Sequence, residues 1–246
     1  MNLFLCSHFS SVGSIIEEQV ANKKIAFIPT ASIREGYTGY VRSARKLFKN
    51  LGAQLIEIEI STEESSKIEE SLEEADIIYF TGGNSFFLID QLRRTGTDKL
   101  LKQQLKNGKL FIGESAGAIV CAPDISYIEK MDPIPKDYSQ SNNAALNLID
   151  FYVLPHYLTA PFKKATEQIV QTFPDRGCID VKYIENGKEM IYNSLTKRGN
   201  IIKADERTSS VLYRRTFELK MTTLLDGYVI DTLTLASELK IKEGDN

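Results

Sequence analysis

Two rhythms of apolar residues run through the first half of the chain. Short apolar runs recur at Leu3–Cys6, Ile25–Ile28, Ile77–Phe80 and Leu110–Ile112, with an alternating run at 54–60. These read as β-strands, most of them buried on both faces. Between them, apolar residues return every three or four positions, as at Val12, Ile15, Ile16 and Val20 and again at Val41, Ala44, Leu47, Phe48 and Leu51. That spacing predicts helices over 11–21 and 41–51. Further helices are expected over 61–74, 86–93 and 97–105. The stretch at 41–51 carries Arg42, Arg45, Lys46 and Lys49 on its polar side, and that at 61–74 is acidic from Glu63 to Glu74. Both charge runs read as solvated helix faces.

Strand and helix alternate to about residue 122, which predicts an α/β fold: an open, mostly parallel sheet with helices on both faces. Right-handed crossovers would place the carboxyl ends of the strands along one rim. After Pro123 the rhythm weakens. Residues 124–150 read as a long loop, 151–154 as a short strand, 162–173 as a helix, and 183–191 as a hairpin turning at Asn186-Gly187. Beyond residue 200 the chain alternates loosely, as β-structure or an irregular extension. The expected organisation is one α/β domain over 1–200 and a C-terminal extension over 201–246.

The sharpest local feature follows the strand at 110–112: Gly113-Glu114-Ser115-Ala116-Gly117. A serine between two glycines, with a strand before and a small-residue helix after, is the pattern of a nucleophile elbow. The glycines remove Cβ atoms that would clash where the strand turns into the helix. The hydroxyl then stands at the carboxyl end of the sheet, where open α/β folds bind ligands.

A serine needs a base to take its proton, and the chain has two histidines, His8 and His156. Each follows a strand. His156, in Leu154-Pro155-His156-Tyr157, is the candidate base, and His8 reads as structural. The carboxylate that would orient the base lies among Asp124, Glu129, Asp132, Asp137 and Asp150, and spacing does not choose among them. An oxyanion needs two backbone N–H donors. The amide of Ala116 is one candidate, and the Gly82-Gly83-Asn84 loop can bring the other.

Three stretches together resemble the aspartyl dipeptidase family of serine peptidases (peptidase family S51), which also includes cyanophycinases. They are Phe80-Thr81-Gly82-Gly83-Asn84-Ser85-Phe86-Phe87-Leu88, Gly113-Glu114-Ser115-Ala116-Gly117-Ala118, and Leu154-Pro155-His156-Tyr157. The resemblance covers roughly residues 1–175. It implies a fold akin to class I glutamine amidotransferases, flavodoxin-like, with serine in place of their elbow cysteine. It implies Ser115 as nucleophile, His156 as base, and Gly83 and Ala116 as oxyanion donors. Asn84 and Glu114, beside those donors, become the expected substrate contacts. The family's acid lies in an Asn-Asp-Met-Pro-like segment, matched here by Glu129-Lys130-Met131-Asp132-Pro133, where the aspartate follows the methionine. Asp132 is the expected acid, with Glu129 in reserve. Ser126-Tyr127 stands where the family's dipeptidases carry a basic residue for an N-terminal aspartate.

Composition narrows the functions. A net charge of −3 gives no general attraction to nucleic acid or anionic membrane. Three cysteines without paired spacing point to buried thiols in a reducing compartment. The start, Met1-Asn2-Leu3-Phe4-Leu5, reads as a first strand rather than a signal peptide. No phosphate loop, dinucleotide fingerprint or zinc spacing is present, so neither a metal nor a cofactor is expected. The expectation is a cytoplasmic serine exopeptidase acting on a small peptide substrate, as a monomer or homodimer. Two alternatives stand beside it: an esterase or amidase of α/β-hydrolase type, against which the short separation of Ser115 and His156 counts, and a non-catalytic binding relative of the same fold.

Overall fold

Alternate residues of each strand feed two separate cores. The computed structural model describes residues 2–149, 152–157 and 159–172, together with the backbone of strands at 188–193, 198–203 and 227–230. Strands β1 (Asn2–Cys6), β2 (Lys24–Ile28), β4 (Ile77–Phe80) and β5 (Leu110–Glu114) carry apolar residues on both faces, and β3 (Gln54–Glu57) lies at one edge. Phe4, Cys6, Ile25, Phe27, Ile77, Tyr79 and Ile112 face one core, whereas Leu3, Leu5, Ala26, Ile28, Ile78, Phe80 and Phe111 face the other. Burial of both faces is what parallel pairing with helical crossovers demands.

The first core is covered by α1 (Phe9–Val12), α2 (Glu17–Val20) and α3 (Gly39–Asn50). The second is covered by α4 (Ser65–Glu74), α5 (Ser85–Arg94), α6 (Thr97–Lys106) and α7 (Ala116–Ile119). α3 supplies Val41, Ala44 and Phe48 from one side, as its spacing predicted. The helix expected over 11–21 is instead two short helices joined by a 3₁₀ turn at Gly13–Ile16. A Cβ on Gly13 would lie 2.6 Å from the Phe9 ring, so the turn is fitted around that aromatic. The helix expected from Ser61 begins at Ser65, because Ser61 folds back onto Glu59, which accepts from both its amide and its hydroxyl.

The strand order is β3-β2-β4-β5-β1-β8-β6-β7, with β6 (Lys188–Asn193), β7 (Arg198–Lys203) and β8 (Gly227–Ile230). From β3 through β8 all pairs are parallel, and β6 is antiparallel to both β8 and β7. The result is the expected open, mostly parallel α/β sheet. The expected boundary at residue 200 falls inside β7. The Asn186-Gly187 turn, and residues 204–226 and 231–246 of the expected extension, lie outside the described residues.

Parallel strands bring the exits of β1, β4 and β5 to one rim, with β5 between the other two. The long loop after α7 contains a 3₁₀ turn at Ser126–Ile128 and one bridge between Asp124 and Ala144. It returns to the residues just after α7 through amide bonds from Leu146 to Val120 and from Leu148 to Cys121. Tyr152–Leu154, expected as a strand, runs extended with bridge residues at 152 and 154. α8 (Lys163–Thr172) follows. No helix among the described residues is long and apolar enough to cross a membrane.

Candidate active site

Ser115 sits at the junction of β5 and α7 with φ 49° and ψ −106°, a conformation a non-glycine residue rarely holds. The surrounding backbone enforces it. The Ser115 amide donates to the Cys6 carbonyl at 2.8 Å, and its own carbonyl accepts from Ala118 and Ile119, both at 2.9 Å. A Cβ on Gly113 would lie 2.5 Å from the Gly117 carbonyl oxygen, and one on Gly117 would lie 2.6 Å from the Phe80 carbonyl oxygen. The two elbow glycines are therefore required by close approach of backbone to backbone, as the sequence pattern implied.

His156 arrives from the far side of the long loop. Its Nε2 is 2.9 Å from Ser115 Oγ. The residue holds φ 60°, its amide donates to Ser7 Oγ at 3.2 Å, and its ring stacks on Phe162 at 5.0 Å between centroids. Burial, and secondarily the neighbouring His8, lower its pKa to about 4. The imidazole is thus neutral through the physiological range and able to accept a proton. His8 itself lies with Nδ1 3.0 Å from Ser10 Oγ and 3.1 Å from Ser11 Oγ, and burial lowers its pKa.

Among the described residues, no hydrogen bond joins Asp132 to the imidazole; its partner is Ser85. Its carboxylate is buried, and Oδ2 accepts from the Ser85 amide at 2.8 Å and the Ser85 hydroxyl at 2.6 Å. Asp132, the expected acid, docks onto the first turn of α5, where a carboxylate meets the helix dipole favourably. Asn84 Nδ2 adds a bond to the Pro133 carbonyl at 2.8 Å, so the 132–133 turn and the Gly82–Ser85 loop are held together. Burial lifts the Asp132 pKa to about 6, against the two bonds from Ser85.

The other candidate acids are also engaged elsewhere. Glu129, the reserve, meets Asn143 Nδ2 at 3.4 Å. Asp124 accepts from the Ser126 amide, and Asp137 forms a two-pronged pair with Arg34 at 2.6 and 2.7 Å. Asp150 lies outside the described residues. Among the described residues, no carboxylate hydrogen-bonds His156.

Glu114 and Asn84, expected to touch substrate, are both turned into the protein. Glu114 is 1% exposed. It accepts from the Phe9 amide at 2.8 Å, from the Tyr79 hydroxyl at 2.5 Å and from the Gly82 amide. One carboxylate, on the last residue of β5, therefore ties together the chain around the exits of β1 and β4. Desolvation raises its pKa to about 7, despite those three donors. Asn84 caps α5, its Oδ1 accepting from the Phe87 amide at 2.8 Å.

The expected oxyanion donors are the amides of Ala116 and Gly83. Ala116 is the first residue of α7, so its amide has no acceptor within the helix. Gly83 has φ 135°, and a Cβ there would lie 2.1 Å from the Ala31 carbonyl oxygen. Only glycine fits the loop at that point. Among the described residues, no group of His, Cys, Asp and Glu is arranged to hold a metal ion.

Sequence reasoning missed Ser7, Phe162 and Tyr40. Ser7 and Phe162 fix the backbone and ring of His156, and Tyr40 packs beside Gly82. A serine and two aromatics carry no motif, and nothing in their spacing marks them.

The pattern of peptidase family S51 matches residues 4–194. An uncharacterized peptidase of Listeria monocytogenes is 45% identical over 72% of this chain and 88% of its own length. One of Pasteurella multocida is 40% identical over 80% of this chain and 97% of its own. Peptidase E of a Nostoc species is 36% identical over 56% of this chain and 54% of its own. Among solved structures, a candidate Peptidase E protein from Listeria monocytogenes superposes with a TM-score of 0.67 at 46% identity, covering 69% of this chain and 86% of that one. A peptidase from an acI-B1 Actinobacterium shares the fold at 18% identity, with a TM-score of 0.60 over 82% of this chain and 87% of that one.

Proposed function

This chain belongs to peptidase family S51, and we propose that it is a serine-type exopeptidase, hydrolysing short peptides through an acyl-enzyme. The observation that carries the proposal is the 2.9 Å approach of His156 Nε2 to Ser115 Oγ on a strained elbow. In this reading the neutral imidazole accepts the hydroxyl proton as Oγ attacks the scissile carbonyl carbon. The carbonyl oxygen becomes an oxyanion between the amides of Gly83 and Ala116. The C–N bond then breaks, and the imidazolium returns its proton to the departing amine. Water, deprotonated by the same ring, releases the acid and regenerates Ser115.

The third member of the usual triad holds the base in one orientation and stabilises its cation. Here the Phe162 stack and the Ser7 bond perform the orienting part. Asp132 acts further away, by fixing the loop that carries Gly83.

The test is incubation of the purified chain with dipeptides, Asp-X and Ala-X first, with amine release followed by chromatography. Cleavage lost in Ser115→Ala and in His156→Ala supports the reading. Cleavage undiminished in Ser115→Ala contradicts it.

A further inference from the structure

Tyr40, near the start of α3, has a place in this site that the steps above do not use. A Cβ built on Gly82 lies 3.2 Å from Ser115 Cβ and 3.3 Å from Tyr40 Cε2. The nucleophile and the phenol ring therefore flank the same glycine of the oxyanion loop. The Tyr40 hydroxyl is shielded from solvent and has no hydrogen-bonding partner among the described residues. Such a group costs about 1–3 kcal/mol if it stays unpaired. Buried polar groups are overwhelmingly paired, so an exception beside a nucleophile calls for an explanation.

The surrounding charges indicate what would pair with it. Burial and three carboxylates, Glu35 before Glu114 and Asp132, push the Tyr40 phenol well above its ordinary value. It stays protonated across the physiological range, with oxygen lone pairs to offer. A field made by carboxylates favours a cation and disfavours an acid. On a short peptide, the cation nearest the scissile carbonyl is the α-ammonium of the residue being released. Tyr37, 73% exposed, has its ring 6.3 Å from that of Tyr40 and lies on its solvent side.

We propose that Tyr40 is a substrate-binding residue whose hydroxyl oxygen accepts a hydrogen bond from the free α-ammonium of the peptide's first residue. This deepens the exopeptidase reading, and rests on it for the identity of the ligand. It makes the free amino terminus the feature of the substrate recognised beside Ser115.

Calorimetric titration separates binding from turnover. Ser115→Ala protein is titrated with Ala-Ala and with N-acetyl-Ala-Ala, and the same is done with Ser115→Ala/Tyr40→Phe. The free-amine peptide is expected to bind the first protein about tenfold more tightly than its acetylated form, the size of one good bond to a charged group. In the second protein the preference falls to within about threefold. The thermal midpoint of Tyr40→Phe should equal or exceed that of the parent, because the change removes an unpaired hydroxyl. Equal binding of both peptides, no binding of either, or an unchanged preference in Tyr40→Phe overturns the assignment. A lower midpoint in Tyr40→Phe also overturns it, because it marks the hydroxyl as structural. Turnover of Ala-Ala by the unmutated chain is scored separately, so absence of hydrolysis counts against the peptidase reading and leaves the binding result to judge Tyr40.

Discussion

Ser115 and His156 both hold positive φ, 49° and 60°, and meet at 2.9 Å although 41 positions separate them in the chain. Neither is glycine, so each conformation is maintained against a local cost of about 1–3 kcal/mol. Backbone contacts on three sides sustain it at the serine, and the Ser7 bond and Phe162 stack sustain it at the histidine. Strained backbone clusters at active sites, and here it falls at two residues that touch.

The base sets the acid side of the pH profile. With the His156 pKa lowered to about 4, kcat/KM should be flat from neutral pH down to about 5 and fall below about 4, as the imidazolium loses its ability to accept a proton. His8→Asn removes the smaller of the two causes and should move that limb upward. Stability has its own sign. The folded state resists protonation of His156 while an unfolded chain takes its proton near 6.5, so this residue costs stability as pH falls from about 6.5 to about 4. His156→Asn should gain urea resistance relative to the parent across that window.

Glu114 is a structural hub, and its loss should be felt in both folding and rate. Glu114→Gln leaves one acceptor oxygen for the Phe9 amide, the Tyr79 hydroxyl and the Gly82 amide. At least one donor is then unpaired and buried, a cost of about 1–3 kcal/mol. Denaturant titration at pH 8, where the parent carboxylate is ionised, should show that loss, with kcat lowered as the Gly82 loop loosens.

Asp132 offers a clean separation of roles. A triad acid replaced by its amide loses roughly a thousandfold or more in kcat, by the precedent of serine proteases. An anchor for Ser85 loses far less, within about tenfold. Ser85→Ala should reproduce most of the effect of Asp132→Asn. The double variant should fall short of the sum, because both changes break one contact.

The elbow glycines should tolerate no side chain. Gly117→Ala drives a methyl to 2.6 Å from the Phe80 carbonyl oxygen. The β4–α7 contact must open, at about 1–3 kcal/mol. Lower thermal stability, together with loss of activity beyond what stability explains, is the expected outcome.

Much of this architecture was legible in the residues themselves. Apolar residues on both faces of β1, β2, β4 and β5 could only be satisfied by a covered parallel sheet, and that alone delivered the rim. Gly113 and Gly117 were legible because backbone contact excludes every other residue. His156 was legible because so few imidazoles were available. The partner of Asp132 was not legible, because a motif reports that a carboxylate belongs to a loop and not which amide it faces; Ser85, adjacent to the Gly-Gly-Asn run, holds it. The burial of Glu114 was not legible, because the motif around Ser115 does not report which face of the strand the preceding side chain takes. Tyr40 left no trace, since its place beside Gly82 depends on α3 packing against the end of β4, a contact that no local pattern encodes.

The central claim is that Ser115 is activated by His156. Treatment of the folded chain with a fluorophosphonate, followed by peptide mapping in a mass spectrometer, tests it most directly. The account predicts a stoichiometric adduct on Ser115 that disappears in His156→Ala at the same reagent concentration. An unlabelled Ser115 in folded protein, or labelling equally complete without His156, would contradict it.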